Sequence, residues 1–81
     1  MIVVEVHIPA LDKYYDFSID EKSKISIIVD EVVEMIGKKE QKTVDYSGSF
    51  LLCCLDTGKV LSPEKTAEEN CIRAGFKLQL I

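Results

Sequence analysis

Ile2, Val4, Val6 and Ile8 are apolar at every second position, with Glu5 and His7 between them. A period of two marks a strand with one buried face. Pro9 to Lys13 reads as a short turn. Alternation then resumes from Tyr14 to Ile19, with Tyr15, Phe17 and Ile19 inward and Tyr14, Asp16 and Ser18 outward. The two runs predict a β-hairpin. The period changes next. Ile25, Ile28, Val29, Val32, Val33, Met35 and Ile36 fall on one stripe at helical spacing. Ser23 is placed to cap the helix by accepting a free backbone N–H. Asp20 and Glu21 lie just upstream, where the helix dipole favours negative charge. Gly37 is placed to stop it with a left-handed cap. Ser26, Asp30, Glu31 and Glu34 form the polar face, and Ile27 stands among them as a lone apolar residue. A single exposed isoleucine is ordinary.

Residues 38–48 are polar and include Gly48, which predicts a loop. Phe50 to Leu55 is apolar on both faces and predicts a strand. Asp56-Thr57-Gly58-Lys59 predicts a hairpin turn with Gly58 at positive φ, and Val60-Leu61 a short return strand. Ser62 to Lys65 reads as loop, and Thr66 to Cys71 as one helical turn capped by Thr66. Ala74-Gly75 turns into a last strand with Phe76, Leu78 and Leu80 on one face and Lys77 and Gln79 on the other. The order β-β-α-β-β-β with one amphipathic helix is α+β. It predicts a helix packed on one face of a mixed sheet, a β-grasp, with the first and last strands central and parallel. The helical crossover takes the usual right hand. There are no repeats and no linker, so residues 1–81 read as a single domain.

Charge narrows the partners. The net charge is −4, the pI is near 4.9, and the ten basic residues are scattered. Phosphate binding needs clustered Lys and Arg, so a nucleic-acid partner is not expected. Lys38, Lys39 and Lys42 are the densest group, and a helix C-terminus accounts for them. The longest apolar run is six residues, Phe50 to Leu55, far short of a membrane span. No membrane insertion and no secretory signal are expected. Three cysteines, two of them adjacent, do not suit a disulfide framework, and a reducing cytoplasm fits them better.

The candidate chemistry is recognition. Parity sends Leu52 and Cys54 toward the helix and leaves Leu51, Cys53 and Leu55 on the open sheet, near His7, Lys77 and Gln79. An apolar cluster with a polar rim on an open sheet is the kind of surface that binds protein. The same strand could instead be covered by residues 38–48. His7 and Cys53 share that face, and Cys71 could lie near. No C-x-x-C or H-x-x-H spacing supports a metal, and no cofactor is expected. A nucleophilic cysteine needs an electropositive pocket and an oriented base. His7, the sole histidine, lies on a regular strand with Glu5 beside it, and reads as a surface residue. The acidic face of Asp30, Glu31 and Glu34 reads as solvated. Tyr14 and Tyr46 read as exposed.

Three segments carry a family resemblance. Leu55-Asp56-Thr57-Gly58-Lys59-Val60-Leu61, Thr66-Ala67-Glu68-Glu69-Asn70-Cys71-Ile72 and Gly75-Phe76-Lys77-Leu78 resemble the GK-x-L, short-helix and I-x-x-G-x-x-L elements of ubiquitin. The length, the ending Gly75-Phe76-Lys77-Leu78-Gln79-Leu80 and the helix entry Ile25-Ser26-Ile27-Ile28-Val29-Asp30 look most like the YukD family, EsaB in staphylococci. Those small proteins accompany type VII (WXG100, ESX-like) secretion systems of Gram-positive bacteria. Phe76 stands where that family more often has an acidic residue, and Cys53-Cys54 is not a family feature. The resemblance implies a cytosolic accessory or regulatory component without catalysis. Its partner would be the secretion ATPase or other machinery, or a second copy of the chain. Ubiquitin-like modifiers and sulfur carriers act through a flexible Gly-Gly tail. The sequence stops at Ile81 without one, so binding is expected and a sulfur-carrier or modifier role is the alternative. An antitoxin-like or toxin-associated domain is a third reading.

Overall fold

The computed structural model describes residues 1–40 and 50–81. The elements are β1 (Ile2–Ile8), β2 (Lys13–Ile19), α1 (Ile25–Glu40), β3 (Leu52–Cys54), β4 (Lys59–Val60) and β5 (Lys77–Leu80). They form one mixed sheet in the order β2-β1-β5-β3-β4, with β1 and β5 parallel and the other pairs antiparallel. This is the β-grasp order and pairing expected from the hydrophobic pattern.

Alternation decides which side chains meet the helix. Val4, Val6 and Ile8 of β1, Phe17 and Ile19 of β2, Leu52 and Cys54 of β3, and Leu78 and Leu80 of β5 are buried. They pack with Ile25, Ile28, Val29, Val32, Val33 and Ile36 of α1, and Leu61, Ala67 and Ile72 close the same core. The described residues bury no polar or charged side chain in this core.

Four local expectations need correction. The helix does not stop at Gly37 but continues to Glu40. Lys38, Lys39 and Glu40 are good helix formers. Lys38 pairs with Glu34 at 3.4 Å, and Lys39 sets its Nζ 5.1 Å over the Tyr15 ring. Residues 38–40 are therefore helix and not loop, whereas the rest of that predicted loop, with Lys42, Tyr46 and Gly48, lies outside the described residues.

Met35 does not join the core stripe. It is 45% exposed, because Val32 and Ile36 occupy the inward positions and residue 35 falls on the stripe's edge. Ile27 is exposed, as a lone apolar residue on the polar face should be.

Ser23 is not the residue that caps α1. The N–H groups of Ile25 and Ser26 donate instead to the carbonyls of Lys65 (3.0 Å) and Pro63 (3.1 Å), so the 62–66 loop satisfies the helix's free donors. Ser23 serves this junction through its backbone, accepting from Ala67 N–H at 3.2 Å.

Residues 66–71 form a closed turn and not a helix. Thr66 and Glu69 make a reciprocal box: Glu69 N–H donates to Thr66 Oγ1 and Thr66 N–H to Glu69 Oε1, both at 3.0 Å. Asn70 N–H then reaches Thr66 O, and Cys71 at φ 62 ends the turn in the left-handed region. The two tight turns at Gly58 (φ 71) and Gly75 (φ 84) fall where the sequence placed them.

Candidate functional site on the open sheet face

The face of the sheet away from α1 carries the side chains at odd positions of β1, β3 and β5. Pairing registers line them up in rows. One row crosses the whole sheet: Tyr14, His7, Gln79, Cys53 and Val60 stand opposite one another in turn. The next row holds Asp16, Glu5 and Lys77. Leu55 closes that row, since its N–H donates to Lys77 O at 2.8 Å. On the other side of the first row, Leu51 and Ile81 exchange two backbone hydrogen bonds of 2.8 Å each. Leu51, Cys53, Leu55, His7, Lys77 and Gln79, the six residues singled out from parity, therefore share one contiguous face.

Parity within β3 is sharp. Leu52 and Cys54 are 1% and 0% exposed, whereas Leu51 and Leu55 are 38% and 47% exposed and Cys53 is half-buried. Leu51 and Leu55 are four residue steps apart, roughly 13 Å along the strand. Three apolar residues on this face were not foreseen. Val60 is 56% exposed opposite Cys53, Ile81 stands beside Leu51, and Val3 lies at the far end of β1. The signal was present: each keeps the outward parity of its strand. Leu51, Leu55 and Val60 surround Cys53 and form the apolar part of the face.

The polar part is partly fixed. Asp56 accepts from Lys77 N–H through Oδ2 at 2.6 Å, tying the β3–β4 turn to the start of β5. His7 is more covered than a surface residue. Its ring stacks on the exposed Tyr14 at 4.4 Å and 16°, and its side chain keeps only 19% exposure. Its Nε2 stands 3.9 Å from Asp12 Oδ1, across the turn where Asp12 takes φ 51.

Geometry separates the residues that could have done covalent chemistry. His7 and Cys53 are two strands apart with Gln79 between them, about 9.5 Å, beyond hydrogen-bond reach. Cys71 is not near either. It lines a separate groove of about 390 Å³ with Ile2, Glu21, Glu68, Ile72, Arg73 and Ala74. That groove lies at the opposite end of β1 from His7, roughly 16 Å away. Among the described residues no three His, Cys, Asp or Glu side chains converge as a metal-holding group. No helix of the described residues is long and apolar enough to cross a membrane.

The whole chain superposes on solved domains of one kind. It matches the EccD5 ubiquitin-like domain from Mycobacterium xenopi with a TM-score of 0.80 at 21% identity, covering 99% of this chain and 91% of that one. The chain has the ubiquitin-like fold. A second ubiquitin-like match is the domain of the Mycobacterium tuberculosis type VII secretion system protein EccD1, with a TM-score of 0.70 at 13% identity over 100% and 99% of the two chains. A third is a chain of the MycP5-free ESX-5 inner membrane complex, with a TM-score of 0.77 at 17% identity. That match covers 99% of this chain and 20% of the longer one. No family model matches the sequence, and no curated protein does.

Proposed function

We propose that this ubiquitin-like chain is a protein-binding module, without catalysis, that serves a type VII secretion system as an accessory or regulatory component. The observation that carries the binding role is the apolar cluster of Leu51, Leu55 and Val60 around Cys53 on the sheet face that, among the described residues, no helix covers. Burying three such side chains would contribute several kcal/mol to an interface, by the usual area relation. Gln79, opposite Cys53, and the fixed polar atoms of Lys77 and Asp56 border the cluster and supply a rim.

Secretion as the context is supported by the likeness to EccD5, to EccD1 and to a chain of an ESX-5 inner membrane complex. The occupant we assign to the open face is a cytoplasmic protein of the same machinery, its ATPase foremost. On this reading the chain acts in the cytoplasm of a Gram-positive bacterium, as a protein of the YukD type.

The test is affinity capture from the native cytoplasm with tagged wild type beside Leu55→Asp, the retained proteins identified by mass spectrometry. Secretion ATPase or WXG100-type proteins held by wild type and lost from the variant are expected. Identical retained proteins from both baits, or recovery of adenylating and sulfur-transfer enzymes, would overturn the reading. A dimer of wild type that Leu55→Asp dissolves would assign the face to a second copy instead.

A further inference from the structure

His7 carries an unpaired atom at one end of the open face. Its Nε2 is closed off from solvent, yet among the described residues no hydrogen-bond partner reaches it. Polar atoms so covered are nearly always paired, and one that is not calls for a reason. The Asp12 carboxylate stands 3.9 Å away, beyond hydrogen-bond length. Asp12 is otherwise 96% exposed, so its side chain has room to swing. It belongs to the turn between β1 and β2, where Leu11 N–H donates to Ile8 O and Asp12 N–H to Pro9 O, both at 3.1 Å, with Asp12 at φ 51.

Other titratable groups share the face. Glu5 lies two residues along β1. Tyr14 stands opposite His7 on β2, with Asp16 opposite Glu5. On β5, Gln79 stands opposite His7 and Lys77 opposite Glu5. Among the described residues, only Asp12 brings a carboxylate oxygen within 4 Å of the imidazole.

We propose that His7 and Asp12 form a proton-operated latch on this turn. A neutral imidazole donates from one nitrogen only, whereas an imidazolium donates from both. Protonation therefore makes Nε2 a charged donor facing an anion that is free to move. The carboxylate is drawn in, and Nε2 gains its missing partner. The Tyr14 ring, stacked on His7 at 4.4 Å, gains a cation against its face in the same step. The turn is then fastened to β1, and it is released when the proton leaves. Imidazole changes charge at about pH 6.5 and a free aspartate at about pH 4, so the latch is closed between those values and open above them. The stability it contributes is present at about pH 5 and lost at about pH 8. Tyr14 and His7 begin the row that ends at Cys53 and Val60, so the latch sets the charge and order at one end of the open face. It does not depend on what that face binds.

Asn suits the left-handed region as well as Asp does, so Asp12→Asn removes the charge and keeps the turn. The test follows the Asp12 carboxyl resonance of the intact chain by carbon-detected NMR from about pH 5 to about pH 8, across the range where imidazole titrates. It should step as His7 loses its proton, and the step should vanish in His7→Gln. Urea unfolding of wild type, Asp12→Asn, His7→Gln and the double variant is measured at both ends of the range. Asp12→Asn should raise the unfolding constant about two- to fivefold more at the acid end than at the alkaline end, as the loss of an exposed ion pair does. In the His7→Gln background that difference should disappear. No step at Asp12, or an equal step at Glu5 or Asp16, would overturn the proposal. So would an effect of Asp12→Asn that is independent of pH, or a pH dependence that survives in His7→Gln.

Discussion

Asn70 holds Ser62 from both sides of its peptide: Asn70 Oδ1 accepts from Ser62 N–H at 3.0 Å, and Asn70 Nδ2 donates to Ser62 O at 3.2 Å. The same amide donates to Thr66 O at 2.8 Å. One side chain thus spans the loop whose Pro63 and Lys65 carbonyls cap α1. Asn70→Ala leaves the Ser62 N–H unpaired and removes one of two donors from the Ser62 and Thr66 carbonyls, and should cost about 1–3 kcal/mol in chemical denaturation. Asn70→Asp keeps the acceptor and loses both donors. It should be destabilising too, with hydrogen exchange rising first at Ile25 and Ser26.

Leu52 and Leu55 lie on one strand segment but on opposite faces. Leu55→Asp should leave the melting temperature within a few degrees of wild type. Leu52→Asp, like Val32→Asp in the helix, buries an unpaired carboxylate and should unfold the domain, at a cost of several kcal/mol. Equal destabilisation of the two β3 variants in thermal melts would mean that the open face is not open.

Gly37 separates two readings of the helix end. In a helix interior, Gly→Ala stabilises by about 0.5–1 kcal/mol, whereas at a left-handed cap it destabilises. The helical course through Lys38 and Lys39 predicts the first sign for Gly37→Ala in urea denaturation.

Glu69 gives a pH signature. The backbone N–H of Thr66, followed by its hydroxyl, holds the Glu69 carboxyl below the usual carboxylate range. A depressed folded-state pKa contributes stability above the unfolded value, lost as pH falls through the folded one. The difference in stability between wild type and Glu69→Gln should therefore be present at neutral pH. It should shrink on acidification below about pH 4.5, the region where carboxylates titrate. A difference independent of pH down to full protonation would remove this role.

The three thiols should react in a fixed order. Cys71 is exposed, Cys53 half-buried and Cys54 buried. Titration with a chromogenic disulfide should modify Cys71 first and Cys53 more slowly, with Cys54 protected until global unfolding.

Much of this molecule was legible in its periodicity. The period of two in β1, β2 and β5 set both the strands and their inward faces, and the odd parity of Leu51, Cys53 and Leu55 set the candidate face. What the pattern could not supply was tertiary satisfaction of backbone groups. Ser23 looks like a cap by local chemistry, but carbonyls 40 and 42 residues further along the chain, at Pro63 and Lys65, did that work for α1. Gly37 looks like a stop by local propensity, but Lys39 gains a ring to sit on and the helix runs past. His7 looks exposed on its strand, and only the register that sets Tyr14 opposite it reveals the cover. Val60 follows a turn whose residue count sets its parity, which makes its outward position easy to overlook.

The parallel pairing of β1 with β5 joins Glu5 to Lys77 and His7 to Gln79 across nearly the full chain. During synthesis, the first hairpin and the helix emerge with the central slot of their sheet still vacant. β3 too has its long partner missing until Lys77–Leu80 follow, since β4 offers it only two residues. Native structure therefore waits on the last strand, and until then the growing chain exposes the apolar residues that will become its core.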